Sequence, residues 1–513
     1  MKLKLLTGIL VSISVFAVVI FSLIMVKEVK NSGGKWSQGS MTDANADGDE
    51  ESKGNSGTKE DMLEDTEGTE GQNGIWDDET LWTEGEIEED EKSDKDSDMV
   101  EYNESGSSGM LSSSQGTSGS NQTGSTSQSV AKPASSEEAL LNNVYASTTL
   151  SQGDIHSHLD NDGRINETTA FEKWKKDISG LGLSFVASLD HNQTNHIENS
   201  AWSRNVFLYG TEAEVSISGK KGSGASGLLH YNILFAGNNA ATMLRETLAS
   251  AGMLKSDGTS YDYAYNKSEA WFGDLIKTVQ NKGGFFVVPH PSQKRGSAPY
   301  AANALGYVFK DSKGNAVNRI GFEVITRSAY ESETTKNYGY WKQLLNAGYK
   351  YYACAGSDIH GLSTETGGDG NLLIKKAITS IYTKSSEKTD EGYLRKLKEG
   401  NFTAGAVGIQ MCVGNLGSGQ AVAMGGECNF KGQKLVVKIG QFYNYLNQNA
   451  QYRVEIHTED GVVKKQNITP SENAVIVLDT DEKAKYYRVE VRYAEGGTCI
   501  AYGNPIWNTN EVK

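Results

Sequence analysis

The chain has 513 residues and a formal net charge of −16, a length that exceeds one typical domain and predicts two folded units with tails. The charge is local: residues 31–135 hold 25 Asp and Glu against 6 Lys and Arg. The remainder is nearly neutral, so the low pI is silent about substrate, and the basic surface that nucleic-acid binding needs is excluded.

After Met1-Lys2-Leu3-Lys4, the stretch from Leu5 to Val26 carries no charged side chain. About 20 apolar residues match the hydrocarbon core of a bilayer. A cleaved signal has a shorter core and a small-residue cleavage site. The expectation for residues 1–30 is therefore an uncleaved signal anchor, with a cleaved signal and secretion as the alternative. Residues 31–138 are acidic and then Ser/Gly-rich, with few large apolar side chains. Such a stretch cannot bury enough apolar surface to offset chain entropy, and a disordered tether is expected. Together these predict a single-pass cell-membrane protein with its catalytic region outside the cell.

From Ala139 the texture changes. Apolar runs at about 153–158, 184–190, 205–211, 229–236, 284–288, 320–325 and 350–356 predict strands. Helical spacing falls between them at Ala170–Leu181, Ala240–Ala251, Glu269–Asn281 and Tyr338–Ala347. Strand–helix alternation predicts a parallel sheet, and seven such units a barrel over 139–408, with its site where strands end. Over 409–513 short alternating runs separated by turn residues predict an antiparallel β-sandwich. No metal cluster is visible there, and His457 reads as a strand residue. The four cysteines form no C-x-x-C pair, so neither a disulfide scaffold nor a thiolate zinc cage is expected. One disulfide among Cys412, Cys428 and Cys499 stays open.

The chemistry-bearing residues gather at the predicted strand ends. His156 and His158 project to one side of an extended segment. Asp160 and Asp162 follow in the turn. The second strand ends in Asp190-His191 and the third in Thr211-Glu212, with Glu214 two residues on. His230 lies in the fourth, near the start of its apolar run. The fifth ends in Pro289-His290-Pro291 and the seventh in Ser357-Asp358-Ile359-His360. Only the sixth contributes no candidate. Burying so many polar groups in an apolar domain is costly unless they are paired or bind cations. The set therefore points to divalent metal, with zinc, manganese or iron all compatible with His/Asp/Glu ligands.

This H-x-H, D-H, G-x-E, internal H, P-H-P and G-S-D-x-H series resembles the PHP (polymerase and histidinol phosphatase) superfamily. With H-Y-N-I-L and the Tyr502-Gly503-Asn504-Pro505-Ile506-Trp507 tail, it is most similar to the CehA/McbA branch. The resemblance implies a distorted seven-stranded (β/α) barrel with two or three divalent ions. His156, His158, Glu212 and Asp358 would hold one. Glu212 would bridge to a second, held by His230 and His290. His191, His360 and an acidic residue of the first turn, Asp162 ahead of Asp160, would hold a third. That turn is one residue shorter here than in the family and lacks its Thr and Ser.

Close cations lower the pKa of a bridging water to near neutrality and take up charge in the transition state. The expected activity is therefore metal-dependent ester hydrolysis, first a phosphoesterase using metal-bridged hydroxide, with a carboxyl or carbamate ester as the alternative. A non-catalytic metal-containing surface binding protein is the reading from another class. Asp190 and His290 are candidates for catalytic roles. Lys294, Arg295 and Arg327 are candidates for meeting an anionic substrate, which would be a small molecule or a cell-envelope ester. Tyr300, Tyr307 and Tyr330 could stack on it, although loop packing is the simpler expectation. Cys354 reads as a packed core residue.

Overall fold

The computed structural model describes residues 136–158, 168–218, 228–292, 294–295, 298–299, 307–326, 331–360 and 377–510. The expectations for the apolar run at 5–26, for the tether up to residue 135, and for Asp160, Asp162, Tyr300, Arg327 and Tyr330 fall outside these residues. Among the described residues no helix is long and apolar enough to cross a membrane.

Helix α1 (Ser136–Tyr145) opens the described chain, and β1 (Thr148–Asp154) leads on to β2 (Ser157–His158). There follow α2 (Thr168–Gly180), β3 (Phe185–Ser188), β4 (Phe207–Ile217), β5 (Leu228–Phe235), α3 (Ala240–Ser250), β6 (Ala264–Lys267), α4 (Glu269–Asn281) and β7 (Phe285–Val288). A small hairpin, β8 (Lys294–Arg295) with β9 (Ala298–Pro299), precedes β10 (Ile320–Thr326), α5 (Glu331–Asn346), β11 (Tyr351–Gly356) and β12 (Ile359–His360). The remaining elements are β13 (Thr379–Lys384), α6 (Asp390–Glu399), β14 (Thr403–Gly405), β15 (Val407–Gly414), β16 (Ala421–Ala423) and β17 (Glu427–Cys428). They end with β18 (Lys434–Phe442), β19 (Tyr452–Thr458), β20 (Gly461–Ile468), β21 (Val475–Asp479), β22 (Tyr486–Tyr493) and β23 (Cys499–Asn508).

The short strands β3, β7 and β11 are buried along their whole length, as expected of strands covered on both faces. Helix α2 buries Ala170, Phe171, Trp174 and Ile178, a stripe at helical spacing. Helix α4 starts at Ser268, whose hydroxyl accepts from the Trp271 N–H at 3.1 Å. Helix α6 starts at Thr389 and stops at Gly400, where φ is +69°. These are ordinary helix start and stop signals.

The main sheet runs in the order β11-β10-β7-β5-β4-β3-β1-β13-β14-β23-β22-β19-β20, with β6 and β17 alongside. The parallel sheet expected from strand–helix alternation holds only in part. Pairs β1/β3, β3/β4, β7/β10 and β10/β11 are parallel. β5 runs antiparallel to both its neighbours. Only residues 218–227 separate β4 from β5, fewer than the dozen or so that a parallel crossover needs. Among the described residues the ladders also do not close into a seven-stranded ring. The segments that follow β1 and β11 meet instead in a short parallel pairing, Ile359 with Ser157 and His360 with His158.

The C-terminal region is β-rich. The sheet β16-β15-β18-β21 contributes Ile409, Met411, Val437 and Ile439, and the strip β23-β22-β19 contributes Val454, Ile456, Val489 and Val491, to one apolar cluster. Strand β20 escaped the sequence reading because it is an exposed edge with no apolar alternation, and its Lys464 and Lys465 blunt that edge. All four cysteines are free thiols, so the disulfide left open among Cys412, Cys428 and Cys499 is absent.

Candidate metal centre

Strand β1 ends at Asp154, and its carboxylate accepts from the backbone N–H of His156 at 2.9 Å and from the Ser357 hydroxyl. That pairing pins the start of one loop to the end of β11. The Asp358 N–H then donates to the His156 carbonyl at 2.8 Å, bringing His156, His158, Asp358 and His360 together. Strand β4 places Glu212 among them, and β5 places His230 directly opposite Glu214. His230 lies near the start of its strand, yet it reaches the same place as residues at other strands' ends. Because β5 runs antiparallel to its neighbours, its beginning lies at the end of the sheet where β4 and β7 lead. His290, just past β7, completes the set. Both His290 (φ +29°) and Asp358 (φ +51°) hold backbone conformations that non-glycine residues rarely adopt, a cost that tends to be concentrated at functional sites.

The side chains fall into three overlapping groups of metal-capable donors: His156, His158, Glu212 and Asp358; Glu212, His230 and His290; and His158, His191 and His360. Glu212 is split between them. Its Oε2 lies 3.4 Å from His156 Nε2, 3.1 Å from His158 Nε2 and 3.4 Å from His191 Nε2. Its Oε1 lies 3.0 Å from His230 Nδ1 and 2.9 Å from His290 Nε2. Asp358 Oδ1 stands 3.5 Å from His156 Nε2, 3.4 Å from His158 Nε2 and 3.4 Å from His360 Nε2. The rings of His158 and His360 stack at 4.1 Å, and those of His158 and His191 at 4.5 Å.

These residues fit a divalent cation. The Nε2 atoms of His156 and His158 are buried and face the Glu212 and Asp358 carboxylates without a well-aligned hydrogen bond to either, an arrangement that a cation between them would satisfy. Donors at about 2.0–2.1 Å around a tetrahedral zinc-type ion lie about 3.4 Å apart, close to the spacing of the first group. Without a cation, carboxylates do the compensating. Burial pushes the His156 imidazole down, but Glu323, Glu212 and Asp358 outweigh it and hold it well above its ordinary value. His158 and His230 are likewise raised against burial, to about 9 and about 10. Burial pushes Glu212 and Asp358 up, but the imidazoles beside them keep both well below the usual carboxylate range.

Glu323 is the residue that the sequence reading missed. It lies fully buried in β10, with Oε1 2.7 Å from His156 Nδ1 and Oε2 accepting from the His290 N–H at 2.8 Å. A signal was present: one carboxylate inside Ile320-Gly321-Phe322-Glu323-Val324-Ile325 has to be paired to be buried.

The other candidates divide. Asp190 lies outside the three donor groups, and its Oδ2 accepts from the Ser188 hydroxyl at 2.7 Å. Cys354 is buried, and burial raises its thiol well above the ordinary value, as a packed core residue should be. Tyr307 is also packing: it is buried, and its hydroxyl donates to the Pro291 carbonyl. Lys294 and Arg295 lie in the β8–β9 hairpin.

A fourth group, Glu455, His457 and Glu490, corrects the expectation of no such cluster near the C-terminus. It is visible only once β19 pairs with β22, setting Glu455 opposite Glu490. Here, however, the carboxylates are already neutralised. Glu455 pairs with Arg453 at 2.8 Å and Arg492 at 3.2 Å, and Glu490 pairs with Arg488 and Arg492. Three guanidinium groups around two carboxylates disfavour a further cation.

No family model and no curated protein matches the chain. Among solved structures, it is similar to Endonuclease Q in complex with a 27-mer duplex bearing an abasic lesion (TM-score 0.22, 12% identity, 34% of this chain and 42% of that one). PsfC from Pseudomonas syringae PB-5123 gives a TM-score of 0.28 and 11% identity, over 48% of this chain and 88% of that one. A glycosyl hydrolase family 2 member from Bacteroides cellulosilyticus DSM 14838 gives 0.17 and 13%, over 70% and 46%. The chain thus spans less than half of the Endonuclease Q structure. Likenesses this weak leave the assignment to the geometry of the site itself.

Proposed function

We propose that this chain is an extracytoplasmic, divalent-metal-dependent hydrolase of ester bonds, first a phosphoesterase, related to the PHP superfamily. The observation that carries the reading is Glu212, one carboxylate with each oxygen turned to a different set of imidazoles. The sheet from β1 to β11, its ends drawn together by β2 and β12, supports a distorted barrel of the PHP kind. Two or more divalent ions would supply a nucleophile from water near neutral pH and polarise the ester oxygen. The protein's own part is to bury the donors, exclude bulk water from His156 and His158, and leave His191 and His360 at the accessible side. On this reading residues 5–26 anchor the chain in the membrane.

Metal analysis combined with assays on p-nitrophenyl phosphate, bis-p-nitrophenyl phosphate and p-nitrophenyl acetate tests the proposal. Phosphate ester turnover that a chelator abolishes and divalent metal restores is the expected result. Turnover of the acetate alone assigns a carboxyl ester instead. Bound metal without turnover of any ester leaves a binding protein and overturns the enzyme.

A further inference from the structure

We infer that Glu323 and Glu214, neither of them in a donor group, orient this centre asymmetrically, Glu323 acting on both the first and second donor groups and Glu214 on the second alone. The inference rests on the metal reading above. A carboxylate oxygen accepts and does not donate. With Glu323 Oε1 2.7 Å away, His156 Nδ1 carries a proton, so in the neutral ring that would bind a cation Nε2 keeps the lone pair. That Nε2 is the atom facing Glu212 and Asp358. The other oxygen of Glu323 holds the His290 N–H at the residue whose φ is +29°, and so fixes the strained turn that aims His290 Nε2 at Glu212 Oε1. One carboxylate therefore grips an imidazole of the first group and the main chain under an imidazole of the second. Gly356 makes room for this: a Cβ there would lie 2.5 Å from Glu323 Oε1 and 2.5 Å from the His156 Cβ.

Glu214 works from the opposite side. It faces His230 across the β4–β5 pair, with Oε1 3.2 Å from His230 Nε2, while His230 Nδ1 lies 3.0 Å from Glu212 Oε1. Both ring nitrogens of His230 thus face a carboxylate; with a cation held beside Glu212, His230 would present Nδ1 to it and Glu214 would take the Nε2 proton, the opposite arrangement from His156. Outer partners of this kind fix the tautomer and the aim of a ligating imidazole.

The test is a Co2+ and Zn2+ titration of the chelator-treated, purified full-length protein, read by bound-metal stoichiometry and the visible Co2+ bands. Wild type should take up at least two ions. Glu214→Gln should weaken one site by about 10–100-fold and leave the other within about twofold. Glu323→Gln, which keeps the shape but cannot accept from both donors, should weaken two sites by about 10–100-fold and shift the Co2+ bands of both. Glu323→Asp, which keeps the charge but shortens the reach to both donors, should weaken the same two sites and serves if Glu323→Gln does not fold. Unchanged affinities, loss at one site only on changing Glu323, or loss at both on changing Glu214 overturns the inference. A folded wild type that binds no ion defeats the metal reading itself, and the inference with it.

Discussion

At the scale of single residues, the centre depends on side chains that leave no substitute. Glu212 serves two donor groups, so Glu212→Gln should remove both cations where loss of His290 removes one; metal content per chain by mass spectrometry decides this. His156→Ala and Asp358→Ala should each abolish turnover, by well over the roughly 10–100-fold that loss of a supporting partner costs. A second residue-scale prediction concerns His457. Burial, reinforced by Arg488, pushes its imidazole down to about 4. A folded value below the unfolded one means that its contribution is complete above about pH 6.5 and is lost as pH falls toward 4. The full loss is on the order of 3 kcal/mol. Denaturant unfolding at pH 7 and pH 4.5 checks it: the drop in stability should be smaller in His457→Gln than in wild type. An equal drop in both would show that the imidazole is not what titrates.

At the scale of elements, two helices carry glycines that should respond in opposite directions. In a helix interior, Gly→Ala ordinarily stabilises by about 1 kcal/mol. Gly339 in α5 has nothing within 4 Å of where a Cβ would stand, so Gly339→Ala should raise the melting temperature. In α4 a Cβ at Gly273 would collide with the Lys310 carbonyl, because the helix packs directly on the chain leading into β10. Gly273→Ala should lower the melting temperature despite its better propensity. Thermal melts of the two variants test whether the packing of α4 is as close as described. The antiparallel setting of β5 belongs to the same scale. It is what brings His230 to the centre, and no strand rule based on parallel units selects that residue.

At the scale of the whole molecule, the C-terminal strands are built into the region that carries the candidate metal centre rather than hung from it. Asn504 of β23 is buried, accepts from the Ala353 N–H at 2.7 Å and donates to the Phe402 carbonyl at 3.1 Å. It thereby ties β11, which leads to Asp358, to the last strand. Arg488 lies over the rings of Tyr338 and Trp341 of α5, and Tyr486, Tyr502 and Trp507 enter the cluster that surrounds β3 to β11. Asn504→Ala leaves a buried N–H unpaired and should cost about 1–3 kcal/mol, measurable by chemical denaturation. The shared sheet and shared cluster predict one calorimetric transition for the described region. Two separable transitions would mean that the C-terminal strands fold on their own.

The donor residues were legible in the sequence because each stands at the end of, or inside, an otherwise apolar run, where a polar side chain needs a partner to be buried. His156, His158, His191, Glu212, Glu214, His290, Asp358 and His360 stand out in that way, the family resemblance prefers Glu212 to Glu214 and implies the ligand sets, and the strand and helix texture comes from hydrophobic periodicity. Glu323 carries the same signal, a carboxylate inside an apolar run, but the groups it pairs with, like the Glu455–His457–Glu490 cluster, depend on which strand lies beside which. The direction of β5, the split of Glu212 between two sets of imidazoles and the continuity of the sheet into the C-terminal strands were likewise decided only by tertiary structure. Periodicity reports which face of an element is buried. It carries no information about the neighbour that face meets, and in a sheet it is the neighbour that turns isolated carboxylates and imidazoles into a site.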